Sequence, residues 1–168
     1  MADEKSVFVT VGTTSFDRLI ETVSSKPLIE VLENLGYRSV ILQIGRGVYE
    51  PEIIKRNNFS LTYYRYKGSI AADIQRASLV ISHAGAGSVL ETLQAGRPLI
   101  VVINEHLMDN HQLELASQLA EDGHLYYATC STLQDTITEK DLAQLKPFPP
   151  GKPELFSAFL DRAMGFHS

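Results

Sequence analysis

The chain has 168 residues, 44% hydrophobic and 21% charged, which fits one domain with a sizeable core and argues against broad disorder. A net charge of −5 without any basic run speaks against nucleic acid as a partner. The start, "MADEKSVFVTVG", reads as a first strand and not a signal peptide, and no stretch approaches the roughly 20 apolar residues of a membrane span.

Taken from the N-terminus, short runs rich in Val, Ile and Tyr alternate with helix-like stretches. A strand is predicted over 7–12, helices near 15–24 and 28–35, and strands over 39–45 and 61–66. A helix near 69–77, a strand over 79–84, a helix near 87–96 and a strand over 98–104 follow. The last pair is a helix over 110–121 and a strand over 125–130. In that helix Leu113, Ala116, Leu119 and Ala120 share one face, with Asp109 or Asn110 as the N-cap and Gly123 as the stop. The strands show little polar alternation, as expected when both faces are covered. Such alternation means right-handed βαβ units, so the predicted class is α/β, a Rossmann-like parallel sheet with helices on both faces.

Composition shifts late. Pro147, Pro149, Pro150 and Pro153 set off a short helix near 154–164, whose Leu155, Phe156, Phe159, Leu160 and Met164 form an apolar stripe. The division expected is a ligand-binding domain over 1–146 and a connection with a terminal helix over 147–168. That helix either packs back onto its own domain or docks another chain. Cys130 is the single cysteine, which excludes an intrachain disulfide, fits a reducing cytosol and reads as a buried thiol without a role.

Ligands of open parallel sheets bind beyond the carboxyl ends of the strands. Four loops there are chemically suggestive. "VGTTSFD" offers Gly12, Thr13 and Thr14, and "IGRGVYE" offers Gly45, Arg46 and Gly47. "HAGAGS" offers His83, Gly85, Gly87 and Ser88, and "NEHLMDNHQ" leads into a helix through Asn110, His111 and Gln112. Gly85 and Gly87 sit where a helix begins, so either an anion approaches the unpaired N–H groups or the glycines only make a tight corner. Several such loops on one sheet edge favour a ligand cleft. The dinucleotide fingerprint and the P-loop lysine are both missing, which sets nicotinamide cofactors and ATP hydrolysis aside. Glu91, one turn into the helix, suits the two hydroxyls of a ribose, although alone it would be a solvated glutamate. Asn110, His111 and Gln112 suit sugar hydroxyls. Together these groups describe a nucleotide-sugar pocket. His83 could take a proton, but beside a diphosphate it suits a phosphate-binding donor better. The five histidines and Cys130 show no metal-ligand spacing, and no cofactor is expected.

The stretch "LVISHAGAGSVLETLQAGRPLIVVINEHLMDNHQLELASQLAEDGH" resembles the C-terminal, donor-binding half of family 28 glycosyltransferases. "LQIGRG" is similar to that family's Gln-x-Gly-Lys-Gly loop, with Arg46 in place of lysine. The resemblance is closer still to small eukaryotic members that form the donor-binding subunit of a UDP-GlcNAc:dolichyl-diphosphate-GlcNAc transferase. There it extends to "VFVTVGTTSFD" and "PPGKPELFSAFLD".

The resemblance implies one half of a GT-B enzyme holding the donor substrate UDP-GlcNAc. A membrane-anchored second chain would supply the acceptor half, bind dolichyl-diphosphate-GlcNAc and bring this otherwise cytoplasmic chain to the cytosolic face of the endoplasmic reticulum. Transfer of GlcNAc would be the second sugar step of the N-glycan precursor. Carried over by position, Glu91 binds the ribose, and Tyr66 and Lys67 lie beside uracil through their backbone. Gly85, Gly87 and Ser88, with Gly12, Thr13 and Thr14 opposite, surround the diphosphate. His111 and Gln112 match a Gln-Gln pair that holds the sugar, the first with a departure. The catalytic base is expected on the partner, with His83 as the weaker alternative. Two other classes stay open: a nucleotide-sugar-binding regulatory module without catalysis, and an epimerase-type enzyme, which would need both halves in one chain.

Overall fold

The computed structural model describes residues 5–104 and 110–148, without the side chains of residues 110–113. In chain order the elements are β1 (Lys5–Thr10), α1 (Asp17–Ser24), α2 (Lys26–Asn34), β2 (Tyr37–Gln43) and β3 (Ile54–Lys55). Next come β4 (Ser60–Tyr64), α3 (Ala71–Arg76), β5 (Leu79–His83), α4 (Ala86–Gln94) and β6 (Leu99–Val102). The order ends with α5 (Asn110–Glu121), β7 (Tyr126–Ala128), α6 (Leu133–Glu139) and a 3-10 turn at Leu142–Gln144.

The strands form one sheet in the order β3-β4-β2-β1-β5-β6-β7, parallel except for β3, which runs antiparallel to β4. Without β3, the strand order runs outward from β1 in one direction and restarts with β5 on its other side. The order of strands therefore reverses between β1 and β5, and the connections that leave their carboxyl ends run to opposite faces of the sheet, with a crevice between them.

Alternate residues of each strand feed two cores. Val7, Val9, Leu79, Ile81, Ile100 and Val102 pack with Leu19, Ile20 and Val23 of α1, Leu28, Ile29 and Leu32 of α2, and Leu133 and Ile137 of α6. Phe8, Val80, Leu99 and Val101 face the other way, against Ile74 of α3, Val89 and Leu93 of α4, and Ala116 and Leu119 of α5. This is the expected doubly covered sheet, in which both side-chain sets of a strand are apolar.

The predicted strands are all present with shifted ends. Three short elements have no counterpart among those predicted: β3, α6 and the 3-10 turn at Leu142–Gln144. β3 spans only two residues, too few to show a period. α6 is seven residues in which Leu133, Thr136 and Ile137 make the buried face, and its Thr and Ile content obscures the helical spacing. α2 begins at Lys26 with Pro27 in its first turn, where a missing N–H costs nothing. Gly123 ends α5 as expected, with the His124 N–H donating to Leu119 O at 2.9 Å. Cys130 is buried. Asp109 and the helix predicted over 154–164 lie outside the described residues.

The packed body runs through Phe148, beyond residue 146. Phe148 is 6% exposed in the second core, with its ring edge-on to His124 at 5.1 Å between centroids. Phe148→Ala should therefore cost about 3 kcal/mol by loss of apolar contact and the cavity left behind. Chemical denaturation measures this; a change below about 1 kcal/mol would mean the segment does not belong to the core.

Candidate functional site

The crevice at the end of β1 is shaped by one buried amide. Gln43 ends β2 and is 3% exposed. Its Oε1 accepts from Thr10 Oγ1 at 2.5 Å, Gly12 N at 3.0 Å and Val11 N at 3.2 Å. Its Nε2 donates to Gly12 O at 2.8 Å and Arg65 O at 2.7 Å. The ends of β1, β2 and β4 are thus tied at one level. Gly12 has φ +65°, the left-handed turn this tie requires. Its N–H is committed to Gln43, so Gly12 offers the cleft space and not a donor. The Thr14 hydroxyl likewise donates inward, to Val11 O at 3.0 Å.

The second suggestive loop packs against the first. A β-carbon on Gly45, at φ +58°, would overlap Thr14 O, and one on Gly47 would overlap Asp17 Oδ1. Arg46 N donates to Thr14 O at 3.0 Å, while its side chain is exposed. The Arg65 guanidinium donates to Gly45 O at 3.1 Å and Gly47 O at 2.6 Å. These glycines are accounted for by the chain itself.

Across the crevice, His83 ends β5, and its ring lies between two glycines. A β-carbon on Gly12 would sit 2.8 Å from His83 Nε2, and one on Gly85 would overlap the ring. Gly85 is also the N-cap of α4 and supplies no side-chain hydrogen bond to it. So Gly85 makes room for His83. Gly87 differs: it is exposed, and a β-carbon there would meet nothing within 4 Å. Burial lowers the His83 pKa from 6.5 to about 4, leaving the ring neutral at physiological pH.

Five of the sequence-predicted residues line one cleft of about 320 Å³: Gly12, Thr13, Tyr66, Lys67 and Glu91, together with Gln43 and the 68–70 stretch. Thr14 and His83 line an adjoining cavity of about 190 Å³ with Ser15, Phe16 and Asn104. Ser88, at the start of α4, is partly exposed. Asn110, His111 and Gln112 occupy the first turn of α5; their side chains lie outside the described residues.

Gln43 and Asp73 were missed as site-shaping residues. Asp73, in the first turn of α3, accepts from Tyr64 Oη at 2.6 Å and pairs with Lys67 Nζ at 3.1 Å. Burial first, then the Asp73 carboxylate, raises the Tyr64 pKa above its usual 10.0. Among the described residues no group of three or more His, Cys, Asp or Glu is arranged to hold a metal ion.

With this geometry in view, comparison with known proteins is specific. Residues 6–162 match the glycosyltransferase family 28 C-terminal domain. The chain is 57% identical over 148 residues to the Homo sapiens protein named UDP-N-acetylglucosamine transferase subunit ALG13. That match covers 88% of this chain and 13% of the human protein, so the chain spans a small part of that relative's length. An NMR solution structure of ALG13 is similar with a TM-score of 0.69 and 26% identity, covering 94% of this chain and 96% of that one. A crystal structure of Acinetobacter baumannii MurG shares the fold at a TM-score of 0.61 and 18% identity, covering 98% of this chain and 49% of that one.

His83 predicts a pH dependence of stability. Its folded pKa, about 4, lies below the 6.5 of the unfolded chain, so between those values the unfolded state binds more protons. Stability from this group is full above pH 6.5 and falls as pH drops toward 4. The loss is on the order of 2 kcal/mol at pH 5. Denaturation across this window should show the slope in the wild type, and His83→Gln should flatten it.

Proposed function

The chain belongs to the glycosyltransferase family 28 C-terminal domain family, with the fold of one half of a GT-B enzyme, and on that premise we propose that it is the donor-binding subunit of an N-acetylglucosaminyltransferase. The reaction is transfer of GlcNAc from UDP-GlcNAc to GlcNAc-diphosphodolichol, the second sugar step of the N-glycan precursor. The observation that carries this reading is that Glu91 of α4 shares one cleft with Thr13 and the wall from Tyr66 to Ile70.

Each part of the donor has a counterpart. The Glu91 carboxylate accepts from both ribose hydroxyls. The diphosphate lies against the first N–H groups of α4, at Gly87 and Ser88, with the Thr13–Thr14 turn opposite. Open space at Gly87 allows that close approach. Uracil lies along the backbone of Tyr66 and Lys67. Asn110, His111 and Gln112 take the sugar. As the bond to UDP breaks, charge builds on the diphosphate, and fixed N–H dipoles stabilise it without reorganising. The proposal uses no cofactor and no metal.

The acceptor half is assigned to a membrane-anchored partner, which brings this chain to the cytosolic face of the endoplasmic reticulum. The human relative is named as a subunit, which supports a multi-chain enzyme. No helix among the described residues is long and apolar enough to cross a membrane. The base that takes the acceptor proton must stand on the face opposite the leaving UDP, and it is placed on the partner. The His83 ring, held neutral between Gly12 and Gly85, lies on the leaving-group side.

Glu91→Ala removes the acceptor for both ribose hydroxyls and should weaken UDP binding about tenfold or more. Titration calorimetry with UDP checks this; unchanged affinity would overturn the ribose assignment. The purified chain alone should show no transfer to a GlcNAc-diphosphate lipid and should gain it when solubilised endoplasmic reticulum membranes are added. Transfer by the chain alone would refute the partner assignment.

A further inference from the structure

We propose that Asp73, acting with Tyr64 and Lys67, is the positioning residue that sets which nucleobase the cleft accepts. The inference rests on the nucleotide reading of the cleft given above.

The Asp73 side chain is 2% exposed, a charge held almost out of water within a six-residue helix. A buried carboxylate needs partners, and it has two. Tyr64, the last residue of β4, donates its hydroxyl at 2.6 Å. Lys67, from the middle of the following loop, reaches both carboxylate oxygens at 3.1 and 3.4 Å, with its ammonium 4.4 Å from the Tyr64 ring centroid. An apolar residue would fill the same space without that direction. What the buried charge adds is a fixed anchor for a loop residue.

The rest of the loop is held as well. Arg65 O accepts from Gln43, and the Arg65 guanidinium is pinned to Gly45 O and Gly47 O. At the far end Ala71 N donates to Ser69 Oγ at 3.1 Å. Between these ends, Tyr66 to Ile70 form one wall of the cleft that Glu91 also lines.

A nucleotide's covalent order fixes which part meets that wall. Phosphates favour the start of α4, and a carboxylate one turn later repels them while suiting ribose hydroxyls. The base then falls on Tyr66 to Ile70. Peptide groups discriminate one base edge from another only if they cannot rotate to suit both. The Lys67–Asp73–Tyr64 anchor removes that freedom at the middle of the wall.

The test compares UDP with ADP by titration calorimetry in the full chain, for the wild type, Asp73→Asn, Lys67→Met and the double variant, with melting temperatures alongside. Asp73→Asn should lose about tenfold in UDP affinity with ADP nearly unchanged, so the preference narrows. Lys67→Met should narrow it too, and the double variant no further than the larger single effect, because both break one anchor. Should Asp73→Asn fail to fold, Lys67→Met, whose side chain is 48% exposed, carries the same comparison. A wild type that prefers UDP, with variants that keep the full preference, overturns the positioning role alone. So does a gain in affinity for both nucleotides on Asp73→Asn, which would make Asp73 a mask on Lys67. A wild type that binds neither nucleotide, or both alike, overturns the nucleotide reading and this proposal with it.

Discussion

Three strand ends meet at one side chain. Gln43 accepts three hydrogen bonds and donates two, joining Thr10, Val11 and Gly12 of β1 and its turn to Arg65 beyond β4. A neutral amide has the right chemistry, since it accepts and donates from adjacent atoms and carries no charge to be desolvated. Its removal would leave the Gly12 N–H, at a left-handed turn, with only the Thr10 hydroxyl at 3.2 Å, and would free Arg65 O at the base of the cleft wall. The turn after β1 and the loop after β4 are parts of one network. Neither wall of the cleft is set independently of the other.

His83 plays the corresponding part on the other side of the crevice. Its ring takes the space that side chains at positions 12 and 85 would otherwise fill. The two strands flanking the reversal, β1 and β5, are thereby locked at their carboxyl ends through an imidazole against two backbones. Because burial keeps that ring uncharged, the lock adds no repulsion or attraction toward an anion nearby. Its hydrogen-bonding capacity remains, which suits a polar ligand at the adjoining cavity.

The fold was largely legible because it rests on local pattern. Runs such as 79–84 and 98–104 are apolar on both faces, and a strand of that kind belongs in the middle of a covered parallel sheet. The grouping of Gly12, Thr13, Tyr66, Lys67 and Glu91 was legible from their common sheet edge and from family resemblance. The reasons for several glycines were not. Gly45 and Gly47 are needed by Thr14 and Asp17, partners distant in sequence, and Gly85 by the His83 ring two residues before it, whose inward turn only the folded sheet edge reveals. Gln43 and Asp73 escaped for the same reason: a buried polar side chain looks like any other until the strand register places its partners. Asp73 sits in a polar-looking stretch, "AADIQRA", where nothing local distinguishes it from a solvated helix residue.

The electrostatics of the cleft follow from where its cations point. Lys67 is turned onto Asp73, and Arg65 onto the carbonyls of Gly45 and Gly47 and the Glu50 carboxylate at 3.1 Å. Glu91 adds a negative charge to the same cleft. Both cations are therefore paired within the chain, although Lys67 also lines the cleft. In the proposed role, the anionic end of the donor is met by peptide N–H groups at the start of α4 and the Thr13 turn, which carry only partial charge. Such dipoles hold a diphosphate less tightly than paired guanidinium groups would, but they are already oriented when the leaving group gains charge. A site built this way favours the departing state over the bound substrate, and that difference is what lowers a barrier.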